Sequence, residues 1–186
     1  MKTYEETLEK LRPLIPEEQY IRVMYQPYCE LDPGFLGFIM QYEILAGMIP
    51  EDWTILDLGC NSAAQSFYFT GHAGYIGVDV LDNREASAEE LMSGRIGGTL
   101  RFEAENTCHC EKDIKSFIDE DMEKLKDRKV MALCICVPDE AAVKYAFDRL
   151  DNIIVFDPEN PVLVKTELGD EISKSIAEKL EASRSV

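Results

Sequence analysis

The chain has 186 residues, 46% hydrophobic and 30% charged, which suffices for one full core and is short for two domains. A formal net charge of −17, with no Lys/Arg cluster to release counterions, argues against nucleic acid as a partner unless another subunit supplies positive surface. No apolar run reaches transmembrane length, the acidic N-terminus is unlike a signal peptide, and the six cysteines are expected as free thiols in a reducing cytoplasm.

The first fifty residues read as a helical cover. Thr3 with Glu6 forms a capping box for a short helix ending before Pro13, and Pro16, Pro27 and Pro33 punctuate the next stretch. Phe35 to Met48 then predicts an apolar helix closed by Pro50. From Trp53 onward strands and helices alternate. Thr54–Leu58 and Tyr75–Val80 are short apolar strands, and Ser62 with Gln65 makes a capping box for a helix between them. Asp82 with Glu85 opens another helix through Met92, and a weaker strand is expected over Thr99–Glu103. Ile114, Phe117, Ile118 and Leu125 mark one helix face; Val143, Ala146, Phe147 and Leu150 mark the next. Val130–Val137 is the longest apolar strand, Ile153–Phe156 is another, and Val162–Val164 is the last strand material before a helix through Ile172, Ile176 and Leu180. Continuous apolar strands separated by amphipathic helices predict a single α/β domain over 1–186: an open, parallel-rich sheet with helices on both faces over 51–186, beneath the cover 1–50.

The segment Ile55-Leu-Asp-Leu-Gly-Cys-Asn-Ser-Ala-Ala64, followed by Tyr75-Ile-Gly-Val-Asp79, carries the most chemistry. A strand, a tight turn at Gly59 and a helix N-terminus form the crevice where open α/β sheets bind ligands, at the carboxyl ends of the strands. Asp79, about twenty positions on, is placed to accept both hydroxyls of a ribose.

These residues resemble motif I and the following acidic motif of class I, Rossmann-like S-adenosylmethionine-dependent methyltransferases. The resemblance spans roughly Trp53 to Phe156 and implies S-adenosylmethionine as cofactor. It places Asp57 near the methionine end, Gly59, Cys60 and Asn61 beneath the cofactor, and Asp79 on the ribose. Val80 and Leu81 would flank the adenine, Glu105 and Asn106 would follow the third strand against its amino group, and Val137 with Pro138 would border the methyl-transfer site. Asn61 and Ala63 stand where the family has further glycines; Asn tolerates left-handed backbone best among the other residues. The family's terminal antiparallel strand pair is expected to be truncated here, and either the apolar 35–48 helix or a homodimer would cover the edge left open.

A nicotinamide-binding Rossmann domain is the rival reading. Of its G-x-G-x-x-G/A turn, Gly59 and Ala64 are present but Asn61 replaces the middle glycine. Cys108-His109-Cys110 reads as a loop with incidental thiols, since three consecutive ligands close a tetrahedron poorly, and no metal site is expected. Cys134 and Cys136 read as core on one strand face, His72 as solvated in a Gly-rich loop, and Asp157-Pro158 as a turn. Tyr25, Tyr28, Phe35 and Tyr42 read as core of the cover, with an acceptor pocket as the alternative. The expected function is methyl transfer to a small-molecule or protein acceptor, with no nameable catalytic residue and no membrane partner; the alternative is a non-catalytic binding or regulatory protein of the same fold.

Overall fold

The computed structural model describes residues 41–60, 64–69, 71–80 and 107–184. Among the described residues six strands form one sheet: β1 (Thr54–Leu58), β2 (Gly74–Asp79), β3 (Thr107–Glu111), β4 (Val130–Ile135), β5 (Ile153–Phe156) and β6 (Leu163–Lys165). Their order is β3-β2-β1-β4-β5-β6; all pairings are parallel except β5 with β6, which is antiparallel. This is the Rossmann-like α/β sheet that the alternating pattern predicts, with β1 central and β2 beside it. One three-residue strand completes the β5 side among the described residues.

Alternation along each strand splits the core into two layers. Ile55, Tyr75, Met131, Leu133, Ile135, Ile154 and Phe156 face one side. There Tyr42 and Leu45 of the helical segment 41–46, with Phe69 of the 3₁₀ segment Ala64–Phe69, cover them. The helix α3 (Asp170–Ser183) completes that layer through Ile176 and Leu180. Leu56, Leu58, Val78, Ala132, Cys134, Ile153 and Val155 face the other side, under α1 (Ile114–Glu120) and α2 (Glu140–Arg149). Strands buried on both faces read as near-continuous apolar runs; β5 is apolar and buried throughout, and β1 is buried throughout with Thr54 and Asp57 as its polar residues.

The helix starts are set locally. Asp113 accepts from the Ser116 N–H at 2.9 Å to cap α1, and Asp139 accepts from the Ala142 N–H at 2.9 Å to cap α2. Arg184, at the end of α3, donates to the carbonyls of Pro158 and Asn160 and stacks 5.0 Å from the Phe156 ring. It thereby ties the helix to the turn between β5 and β6.

Several sequence expectations need correction. The strand beside β2 is Thr107–Glu111, so Cys108-His109-Cys110 lies on a strand, not in a loop. That segment has no apolar run; pairing with β2 defines it. The expected strand at 99–103 and the helix through Met92 lie outside the described residues, as do the elements expected before residue 41. The Ser62–Gln65 capping box is followed by a 3₁₀ segment, not an α-helix. Cys134 and Cys136 belong to opposite layers, because β4 ends at Ile135 and Cys136 takes a positive φ of 55°. His72 is buried, with Nε2 3.1 Å from the Ile49 carbonyl and its ring edge-on to Phe69; burial pushes its pKa down.

Candidate functional site at the carboxyl ends of the strands

The ends of four strands are knitted together. Immediately after β1, Gly59 turns the chain with φ +80°, a conformation that L side chains adopt only with strain. The N–H groups of Gly59 and Cys60 both donate to the Val78 carbonyl, at 2.8 and 3.2 Å, fastening the turn to the end of β2. A Cβ at Gly59 would stand 2.7 Å from Val137 Cγ2, so β1 and the segment after β4 meet with no room for a side chain. Cys136 N–H donates to the Phe156 carbonyl at 2.8 Å, which fastens the end of β4 to β5.

Asp57 sits beneath this turn, wholly buried. Its Oδ2 accepts from the Tyr75 hydroxyl at 2.5 Å and from Gln65 Nε2 at 2.5 Å. Gln65 Nε2 also reaches the Cys60 carbonyl at 3.0 Å, so the residue expected to cap a helix instead links the carboxylate to the turn. Asp57 Oδ1 accepts no hydrogen bond among the described residues. Burial raises the Asp57 pKa to about 6, the Tyr75 and Gln65 hydrogen bonds oppose that rise, and the Asp79 charge adds to it. Burial, with the Asp57 carboxylate next in weight, holds both Tyr42 and Tyr75 well above the ordinary phenol range.

Asp79 closes β2, half-buried, and its carbonyl accepts from the Lys112 N–H at 2.9 Å. Glu111 pairs with it in register at the end of β3, on the same face of the sheet. Val80 is 58% exposed at the rim. The fold thus brings together Asp57, Gly59, Cys60, Asp79, Val80 and Val137 at one end of the sheet. Asn61, Leu81, Glu105 and Asn106 lie outside the described residues. Glu105 and Asn106 precede the strand that pairs with β2, so the position after that strand belongs to Lys112 and Asp113.

Sequence reasoning misses the places that Tyr75, Gln65 and Glu111 take in this site. A Tyr two residues before a Gly in an apolar strand is the available signal for the first. Glu111 is hidden by the displaced strand. At the end of β4, burial and the neighbouring Asp157 push the Cys136 thiol up to about 11, with Arg184 opposing.

No family model matches this chain, and no curated protein does. Among solved structures it is similar to a cyclopropane-fatty-acyl-phospholipid synthase-like protein from Lactobacillus casei, at 13% identity and a TM-score of 0.45, over 81% of this chain and 57% of that one. It is also similar to an rRNA methylase from Streptococcus thermophilus, at 16% identity and a TM-score of 0.38, over 63% of this chain and 70% of that one. The chain therefore spans little more than half the length of the first of these proteins.

Proposed function

We propose that this chain binds S-adenosylmethionine at the carboxyl ends of β1 and β2 and transfers its methyl group to a small-molecule or protein nucleophile. The observation that carries the reading is the turn after β1: Gly59 at φ +80° lies between the buried Asp57 and the strand that ends in Asp79. That arrangement matches the order acidic residue, glycine turn, second acidic residue of the methyltransferase motifs.

The residues present fit the cofactor. Asp79 offers a carboxylate for the two ribose hydroxyls. Asp57 Oδ1, buried beneath the turn and without a hydrogen bond among the described residues, keeps acceptor capacity that an ammonium group would meet only by entering beneath the turn. Val80, exposed beside Asp79, supplies apolar surface for a flat ring. The cofactor supplies an activated methyl on a sulfonium, and its displacement is governed by alignment and exclusion of water. The chain's own share is to hold the cofactor by its ribose and amino-acid ends and to bring the acceptor to the rim formed by Cys136 and Val137. S-adenosylhomocysteine is the leaving group, and an amine or hydroxyl acceptor would also release a proton to solvent or to a neighbouring base. The surplus of acidic residues favours a small molecule or a basic protein segment over nucleic acid.

Cofactor binding without turnover is a second reading, favoured by Asn61 and Ala63 standing where the methyltransferase turn has glycine. Against a nicotinamide site stand Asn61 and the antiparallel β6, which differs from the paired βαβαβ halves of dinucleotide domains. Incubation with S-adenosylmethionine and a panel of small-molecule and basic-peptide acceptors, with detection of both methylated product and S-adenosylhomocysteine, separates the first two readings. Product formation supports transfer; saturable binding with no product across the panel supports the binding protein.

A further inference from the structure

A cavity of about 480 Å³ opens far from the Gly59 turn, where β4 and β5 begin, between those strands and the α1–α2 side of the sheet. Its volume lies in the range of small-molecule sites. The floor is apolar: Leu56 and Ala132 of the sheet, Leu125 from the 3₁₀ segment Met122–Leu125, and Leu150 after α2. The rim carries three cations, Lys126, Arg128 and Arg149, against two carboxylates, Asp119 and Asp151. Glu123, which pairs with Lys126, brings the carboxylates to three, so the rim is balanced in charge and its recognition chemistry rests on the two guanidinium groups.

The rim cations are not equally committed. Lys126 pairs with Glu123 at 2.8 Å. Arg149 lies 3.8 Å over the Tyr145 ring, and its Nε is 3.9 Å from Asp119, whose same oxygen accepts from the Tyr145 hydroxyl at 2.6 Å. The ring fixes the guanidinium in place while that carboxylate is shared. Arg128 makes no ion pair among the described residues. Two guanidinium groups at the mouth of a cavity with an apolar floor, one held by stacking and one with no ion pair among the described residues, suit a planar or tetrahedral anion on an apolar body.

We propose that this cavity binds a small amphipathic organic monoanion, with its apolar body over Leu125 and Leu150 and its anionic head between Arg128 and Arg149. The site is separate from the strand ends and independent of the methyl-transfer reading.

The test titrates isotope-labelled full-length protein, without S-adenosylmethionine, with phenylbutyrate and with its neutral counterpart phenylbutanol. Phenylbutyrate should give saturable amide shifts confined to Met122, Leu125, Arg128, Leu150 and Asn152, with the alcohol binding about tenfold more weakly or worse, as expected for loss of a charge-assisted contact. Arg128→Glu should lower phenylbutyrate affinity about tenfold or more without changing the fold, since the side chain is exposed; Arg149→Gln should give a smaller loss. Shifts located elsewhere, no saturation, equal binding of acid and alcohol, or an unaffected Arg128→Glu variant would each overturn the proposal.

Discussion

The Tyr75 hydroxyl donates to Asp57 Oδ2 at 2.5 Å, joining β2 to β1 through two side chains that are both fully buried. The register explains how it reaches. Tyr75 pairs with Ile55, while Gly77 stands directly opposite Asp57 and leaves the space beside the carboxylate open for the phenol. A carboxylate held this way is costly when ionised, because its hydrogen bonds replace only part of the lost hydration.

The pH dependence of stability should expose that cost. The Asp57 pKa is about 6 in the folded protein against an ordinary 3.8, so folding favours its protonated form. The contribution is fully present below about pH 4 and is lost as pH rises through 6, amounting to roughly 3 kcal/mol. Asp57→Asn should remove it. Denaturation of both proteins between pH 4 and 8 should show their stability difference changing across this window in favour of the variant at high pH. His72, whose lowered pKa acts in the opposite sense, is common to both proteins and cancels. A constant difference across the range would mean that Asp57 stays ionised throughout.

Tyr75→Phe should destabilise the protein by about 1–3 kcal/mol, the cost of losing one of the two hydrogen bonds to a buried carboxylate oxygen that Gln65 still reaches. It should also move the Asp57 transition further upward, since the Tyr75 hydrogen bond favours the charged form. Equilibrium denaturation at pH 8 and at pH 5 measures both effects, and the loss should be larger at pH 8.

Gly59→Ala meets two obstacles: φ +80° and Val137 Cγ2 at 2.7 Å from the new Cβ. Backbone strain of this kind costs about 1–3 kcal/mol before any steric clash. Adding Val137→Ala should relieve the clash but not the dihedral, so the double variant should recover only part of the loss. A double-mutant cycle measured by denaturation gives the coupling.

The segment before β1 is part of the core. Tyr42, Leu45 and Ile49 are nearly inaccessible and pack with Trp53, Phe69 and Tyr75. Leu45→Ala should cost about 2–5 kcal/mol. Deleting residues 1–50 should leave an insoluble or unfolded protein, checked by circular dichroism and the soluble yield.

Among the described residues five of the six strands are anticipated in the sequence: β1, β2, β4 and β5 by apolar runs that cross the core, Val130–Ile135 most clearly, and β6 by the short run Val162–Val164. The same rule misleads at β3. Thr107-Cys-His-Cys-Glu111 has no such run, and its place depends on pairing with Tyr75–Asp79, which a single sequence does not display. The positions of Asp57, Gly59 and Asp79 at one end of the sheet can be read because strand, turn and strand are close in sequence. The partners of Asp57 cannot. Gln65 bears the signature of a cap, and Tyr75 reads simply as a strand aromatic; their convergence on one carboxylate depends on register and on the glycine opposite it.

Calorimetry with S-adenosylmethionine tests the central claim most directly. The wild-type chain should bind it or S-adenosylhomocysteine saturably at one site and should not bind NAD. Asp79→Ala, at a half-buried strand end, should weaken binding by about 1–3 kcal/mol in protein whose folding is checked by circular dichroism. Tight NAD binding, or S-adenosylmethionine affinity unchanged in Asp79→Ala, would contradict the assignment of this crevice.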